Sequence, residues 1–365
     1  MTRAFLALLL ITAHLPLAAA PRRRAVRHPS PPSAPAAIVT AAEQAAEAAL
    51  KAGAPAVQIA VSERGHIIYS AAFGLSDREA ATAATPQSVL QIGSVTKQFT
   101  AAAILRLAER GALTLDDRIE KYVPEFNTRG ATITLRHLLT HTSGVTGLPP
   151  AEYSPLTRAQ YMTLVNSGPL AFTPGSKFSY SNAGYRLLGY AIESITGRSF
   201  ADFIHGEFAL PLGLLDTGVC GTFNLPIPDG YGLVQGKWVR VPAIEMSVPF
   251  AAGSLCSTAS DLVRWSHLLA TGRVMLPSSY ATMTTAPLLT DNTLAPYGLG
   301  VSLLKQLGRP AVSHTGGIPG FQSSLLYFPD REMAIAVIVN ALPTPAAVSA
   351  HGIALTVAGA AVATQ

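Results

Sequence analysis

The β-forming runs of this chain lie at its two ends, and that distribution restricts the fold more than any other feature. Val57–Ser62 and His66–Phe73 are rich in β-branched and aromatic residues, and Glu63-Arg64-Gly65 between them reads as a hairpin turn. The β pattern returns at Gly298–Leu304, Ala311–His314, Phe321–Phe328 and Met333–Asn340, with Pro329-Asp330-Arg331 turning the last pair. From about residue 113 to 290 helices and loops dominate. The two groups of strands are expected to pair in one antiparallel sheet built from both chain ends. A mostly helical insertion interrupts it, and helices at about Ile38–Lys51 and Pro345–Ala360 flank it, an α+β fold.

Two further helices are well marked. From Ser94 to Arg110 an apolar stripe of Val95, Phe99, Ala103 and Leu107 recurs every four residues, and Gly111 is placed to end it. A second helix runs from Asn182 to about Thr196 and stops at Gly197.

With 365 residues, 49% of them hydrophobic, the chain can bury a core for one large domain or two intimate ones. The net charge of +5 does not describe a nucleic-acid binder. Five of the 26 basic residues (Arg3, Arg22, Arg23, Arg24, Arg27) lie in residues 1–30 with no acid among them, which leaves 21 basic against 21 acidic residues in the rest. A basic footprint belongs on the folded body, not on a tail. Residues 1–20 read as a signal peptide, with Arg3 ahead of the apolar Ala4–Leu17 and Ala18-Ala19-Ala20 as a cleavage site. An uncleaved anchor through residues 4–20 is the alternative, and it would be the chain's one membrane attachment. Residues 21–36 form a Pro- and Arg-rich linker expected to be disordered, and residues 37–365 the working domain. The protein is thus expected to be exported, periplasmic or secreted. Cys220 and Cys256 can form one disulfide in such a compartment or remain two separate buried thiols.

Three short motifs carry chemistry. In Ser94-Val95-Thr96-Lys97 a serine and a lysine stand three apart on a helix, on one face, so the amine can reach and activate the hydroxyl. Gly93 permits close backbone approach at the helix start, where free N–H groups can hold an oxyanion. The same spacing in Ser302-Leu303-Leu304-Lys305 falls in or at the end of an expected strand, which sends the two side chains apart. In Tyr180-Ser181-Asn182 the tyrosine, its pKa lowered by a nearby Lys⁺, can shuttle protons. Asn182 can bind a substrate amide and steady the lysine, or merely cap the helix it precedes. His314-Thr315-Gly316-Gly317 follows an apolar strand run, and its glycines let a substrate lie along the strand edge.

In this order and spacing the three motifs resemble the serine penicillin-recognising enzymes, in the branch of class C β-lactamases, D-alanyl-D-alanine carboxypeptidases and related esterases. The resemblance covers about residues 38–345. It includes His137-Leu138-Leu139-Thr140-His141-Thr142-Ser143-Gly144, Pro211-Leu212-Gly213-Leu214 and Gly253-Ser254-Leu255. It implies a β-lactamase/transpeptidase-like fold with the site between sheet and helical regions. It also implies acylation of Ser94, proton transfer by Lys97 and Tyr180, acyl-side binding by Asn182, and an oxyanion hole from the N–H groups of Ser94 and Gly317. Thr315 and Gly316 complete the substrate-binding edge. The implied substrate is a small molecule or short peptide, with no cofactor and no metal. Where class C β-lactamases carry lysine this chain has His314, which holds a carboxylate only when protonated.

Rival readings are weaker on the same residues. His137 and His141 stand four apart as zinc ligands do, but position 138 is Leu where a metalloprotease needs Glu, so a structural role is expected. A Gly-x-Ser-x-Gly elbow is absent. A penicillin- or peptidoglycan-binding sensor without turnover would be expected to lack one of the three motifs, all of which are present.

Overall fold

The computed structural model describes residues 34–147, 153–226, 228–344 and 348–363. The expected signal peptide and nearly all of the expected linker lie outside these residues. The N-terminal part holds helix α1 (Ala36–Lys51), strands β1 (Ala56–Glu63), β2 (His66–Asp77), β3 (Thr82–Ala83) and β4 (Leu90–Gln91), and helix α2 (Thr96–Glu109). The middle holds α3 (Leu135–Leu139), α4 (Arg158–Val165), α5 (Asn182–Thr196) and α6 (Phe200–Ile204), then β5 (Gly218–Val219), β6 (Gly230–Val234), β7 (Lys237–Val241), β8 (Leu255–Ser257), α7 (Ala259–Ala270) and α8 (Pro277–Met283). Strands β9 (Val312–Ile318), β10 (Phe321–Phe328) and β11 (Met333–Val339) and helix α9 (Ala350–Ala363) follow.

The main sheet has six antiparallel strands in the order β3-β2-β1-β11-β10-β9, so both chain ends build it. They meet where β1 pairs with β11, Val57 opposite Val339 and Glu63 opposite Met333. The β1–β2 hairpin turns through Arg64 and Gly65, both with positive φ (49° and 79°), as a two-residue turn between right-twisted strands requires. Strand β11 is buried along its whole length, and its side chains alternate between two cores with the period of two that a pleated strand imposes. Met333, Ile335, Val337 and Val339 pack with α1 and α9 on one face. Ala334, Ala336 and Ile338 face the other, larger core, which contains α2, α5 and α7.

Helix α2 is buried nearly all round: every residue from Thr96 to Leu105 is inside. A stripe of apolar residues therefore understates its position. Its polar side chains are admitted because each finds a partner. Thr100 donates to the Ala251 carbonyl at 2.6 Å, and Gln98 accepts from the Trp265 indole at 3.1 Å.

Four expectations need correction. Residues 298–304 are not a strand; Gly300 (φ +74°) presses against α2, where a Cβ would lie 2.6 Å from the Lys97 carbonyl, and Gly298 against the end of α8, where a Cβ would lie 2.1 Å from the Met283 carbonyl. The insertion is less purely helical than its composition suggests, since β4, β8 and β5 form a small sheet and β6–β7 a hairpin. These strands run two to five residues, too short for periodicity to register. The end of the expected linker belongs to the folded body, because Ala34 donates to the Ile68 carbonyl and α1 begins at Ala36. The C-terminal helix begins at Ala350 rather than near 345, and residues 345–347 lie outside those described. Cys220 and Cys256 are joined as a disulfide, their Cα atoms 5.1 Å apart, which ties the end of β5 to β8.

Candidate active site

Ser94 sits in a single 3-10 turn, Gly93–Val95, that runs directly into α2. The expected first turn of α-helix is thus tightened, and Lys97 follows in the first turn of α2. Lys97 is fully buried, and its Nζ lies 2.7 Å from the Ala252 carbonyl, 2.8 Å from Asn182 Oδ1 and 3.1 Å from Ser94 Oγ. The two carbonyl-type oxygens can only accept. A neutral amine has two N–H bonds, which those acceptors use, so its lone pair is left for the Ser94 hydroxyl. Burial pushes the Lys97 ammonium well below the usual lysine range and favours that neutral form.

Asn182 reaches Lys97 because it is not the helix cap. Ser181 takes that role: its hydroxyl accepts from the Gly184 N–H and donates to the Val145 carbonyl. Asn182 is the first residue of α5, and its side chain is left for the lysine. Gly197 ends the helix with φ +66°.

Tyr180 precedes this cap, with Lys97 Nζ 4.9 Å from its ring centroid. The residue is 44% exposed. Burial drives the phenol pKa up by more than the hydrogen bond with Ser94 brings it down. The sequence expectation of a lowered phenol is therefore not met: burial is the larger effect, and the pKa goes up. Tyr180 therefore rests as a neutral phenol beside a lysine whose ammonium is destabilised by burial.

The third motif lies on β9, an edge strand. Its inner neighbour is β10, with His314 opposite Leu325 and Gly317 opposite Gln322. Among the described residues its outer side is bridged only at Ser313, by Ser302. Thr315 and Gly317 are exposed, whereas His314, Gly316 and Ile318 are buried. Two glycines let this strand touch the serine turn. A Cβ on Gly316 would stand 2.0 Å from the Ile92 carbonyl, and one on Gly93 would stand 2.9 Å from the Gly317 nitrogen. Ser323 Oγ donates to the same Ile92 carbonyl at 2.7 Å and fastens the contact.

His314 has both ring nitrogens engaged: Nδ1 is 2.6 Å from the Thr315 carbonyl and Nε2 is 2.7 Å from the Tyr297 hydroxyl. A carbonyl can only accept, so Nδ1 carries the proton and Nε2 accepts from the phenol. Burial, then the nearby Lys97, push its pKa down to about 3.

Two cavities meet at Gly147 and Asn182. One, of about 190 Å³, contains Ser94, Gly317 and Arg186 with the apolar Ile244, Val248, Pro249 and Ile318. The other, of about 440 Å³, runs from Tyr180 along Gly144–Gly147, Ala171 and Phe172. Of the candidate site residues Ser94, Tyr180, Asn182 and Gly317 line these cavities, and Lys97 bonds Ser94 and Asn182. The Ser302–Lys305 match lines neither cavity, and Lys305 is exposed.

Sequence reasoning missed the Ala252 carbonyl, although the neighbouring Gly253-Ser254-Leu255 had signalled the segment. It also missed Tyr297, which no pattern marked, and the location of His141. His137 and His141 do not act as a pair: His137 closes a capping box with Thr134 at the start of α3, whereas His141 packs 4.2 Å from the Tyr180 ring. Among the described residues no cluster of three His, Cys, Asp or Glu residues is arranged to hold a metal.

Comparisons with known proteins agree with this fold. Penicillin-binding protein 4* of Bacillus subtilis (strain 168) is 28% identical over 306 residues, covering 77% of this chain and 67% of that protein. The chain spans 64% and 59% of the length of two further curated relatives. A D-stereospecific amidohydrolase from Streptomyces sp. superposes with a TM-score of 0.70 at 28% identity, over 83% of this chain and 94% of that one. The D-amino acid amidase of Ochrobactrum anthropi SV3 shares the fold, with a TM-score of 0.78 at 23% identity over 90% of this chain and 100% of that one. The family model described as Beta-lactamase matches residues 39–358. Because that match runs from within α1 to within α9 and takes in both walls of the cleft, the chain belongs to the Beta-lactamase family.

Proposed function

We propose that this protein is a serine hydrolase that cleaves an amide or ester through an acyl-enzyme on Ser94. The observation that carries the reading is the coordination of Lys97, whose Nζ stands 2.7 Å from the Ala252 carbonyl, 2.8 Å from Asn182 Oδ1 and 3.1 Å from Ser94 Oγ; in the neutral amine the first two take both N–H bonds and leave the lone pair for Ser94. In acylation Oγ attacks the substrate carbonyl carbon as its proton passes to Lys97. The oxyanion accepts from the N–H groups of Ser94 and Gly317. As the C–N or C–O bond breaks, the proton travels by way of Tyr180 to the leaving atom. Water then attacks the acyl-serine carbonyl as its proton passes to the Tyr180 oxygen, which hands its own phenol proton to Ser94 Oγ; the C–Oγ bond breaks, the acid leaves and the Ser94 hydroxyl is restored.

The substrate edge favours neutral leaving groups. His314 offers no permanent cation, and its ring nitrogens are occupied by Thr315 and Tyr297. Esters and D-amino-acid amides therefore suit the site better than β-lactams or D-alanyl-D-alanine peptides, whose leaving side bears a carboxylate. The D-stereospecific amidohydrolase supports the amide reading, since the 28% identity to it extends over most of this chain. We further propose that the protein is exported, since the Cys220–Cys256 disulfide suits an oxidising compartment.

The test is the intact mass of the purified protein and of Ser94→Ala after mixing with benzylpenicillin and, separately, with p-nitrophenyl acetate. Acylation of the parent by the ester but not of the mutant supports the reading. Undiminished turnover by Ser94→Ala overturns it, and a stable adduct that never hydrolyses would make the protein a sensor.

A further inference from the structure

We infer that His141 is a positioning residue for Tyr180, holding the tyrosine hydroxyl over Ser94 through bonds to the backbone on both of its sides. The inference rests on the proposed role of Tyr180 in moving protons. The carbonyl of His141 accepts from the Ser179 N–H at 2.9 Å, and its Nδ1 accepts from the Ser181 N–H at 3.0 Å. The residues immediately before and after Tyr180 are therefore both bonded to one residue. The imidazole lies 4.2 Å from the Tyr180 ring, tilted by 37°, and fills the space behind it. Tyr185 and Tyr297 enclose the imidazole from the other directions at 5.0 and 4.7 Å.

Two features separate this arrangement from ordinary packing. His141 has φ +58°, a left-handed backbone that most side chains avoid. That geometry turns both its carbonyl and its side chain toward the 179–181 segment. Its Nε2 is buried without a hydrogen-bond partner. An imidazole kept only for its volume would leave that polar atom as a cost with no return, since an apolar residue fills space without it. What an apolar residue cannot do is accept from Ser181 N–H. Only a neutral imidazole with its proton on Nε2 does so.

The remaining two bonds at this joint belong to Ser181, whose hydroxyl caps α5 and donates to Val145. The joint thus fixes the start of α5, and with it Asn182, at the same time as Tyr180. His141 links the Thr140–Ser143 segment to the proton-transfer group without touching substrate.

The experiment is a double-mutant cycle on kcat/KM for a p-nitrophenyl ester, with thermal melts on every variant. His141→Gly keeps the left-handed backbone and removes the side-chain acceptor. His141→Asn also tolerates positive φ, and its Oδ1 occupies the position of Nδ1. His141→Gly is expected to lose roughly 10²-fold, the scale of a small misplacement of a reacting group. His141→Asn is expected to recover most of that loss. In a Tyr180→Phe background, which has no hydroxyl to position, His141→Gly is expected to change the rate less than threefold. An equal loss in both backgrounds would make His141 a general structural residue and overturn the inference, as would failure of His141→Asn to recover activity while its melting temperature matches the parent. Full activity of Tyr180→Phe itself would instead remove the proton-transfer reading on which the inference stands.

Discussion

Asn182→Asp is a near-isosteric change that puts a carboxylate where the amide oxygen lies 2.8 Å from Lys97 Nζ. In the parent, burial holds Lys97 well below the usual lysine range. The neutral amine is the base, so activity rises as pH increases through the Lys97 pKa and is lost as the amine becomes an ammonium below it. A carboxylate within about 4–6 Å favours the ammonium and raises that pKa by about 1–3 units. The ascending limb of the pH–rate profile should therefore move upward by the same amount. At a pH on the parent's plateau but below the variant's limb, acylation falls about 10- to 1,000-fold. Above the displaced limb the rates converge, apart from whatever Asn182 contributes to binding the acyl group, which is read separately from the plateau. The assay is the pre-steady-state release of p-nitrophenol across the stable pH range of the two proteins. A uniform loss at every pH, with the limb unmoved, would refute the assignment of Lys97 as the base.

Three further outcomes follow from the same coordinates. Gly316→Ala places a Cβ 2.0 Å from the Ile92 carbonyl, so β9 must retreat from the serine turn; a stability loss of about 1–3 kcal/mol is expected, together with at least a tenfold loss of acylation, and a parent-like rate would show that the contact does not set the oxyanion geometry. Opening the Cys220–Cys256 bridge, which spans a sequence separation of 36, removes a constraint worth up to about 4 kcal/mol in the chain-entropy model; the double serine variant should melt several degrees lower, and an unchanged melting curve would contradict this. Because His314 titrates at about 3, its proton leaves well below neutrality, and no limb between pH 5 and 8 should disappear in His314→Gln; the appearance and loss of such a limb near 6.5 would show that His314 ionises in the working range.

What the sequence made legible follows the strength of local rules. The hairpin at Arg64-Gly65, the end of α5 at Gly197 and the Ser94–Lys97 face are each dictated within a few residues, and the structure has them where the pattern requires. The pairing of the two chain ends was also readable, since strands of that length need partners and few others exist. The short strands β4, β5 and β8 were not, because two or three residues carry no period. Residues 298–304 misled because an apolar run with glycines reads alike as a strand and as a turn pressed against a helix. Only the close approach of Gly300 to Lys97 distinguishes the two.

The protonation states were the least legible part of the site, for a physical reason. A lysine near a tyrosine suggests a cation that acidifies a phenol, and the residue types alone favour that inference. The outcome depends on how much water the lysine loses and on what surrounds it, and both are properties of the packed chain. Here α2 buries Lys97, the segment at Ala252 and the start of α5 supply two acceptors, and no carboxylate stands within salt-bridge distance of Nζ among the described residues. The ammonium therefore lacks the partner that a buried charge needs, and its pKa is pushed well below the usual lysine range. The same desolvation keeps Tyr180 a phenol and His314 an uncharged imidazole. With Tyr180 and His314 uncharged beside Ser94, and Arg186 of the same cavity held by the Ser247 carbonyl and the Tyr190 hydroxyl, the reacting groups suit substrates that arrive without charge. That is why the ester and amide reading is preferred here to the β-lactam one.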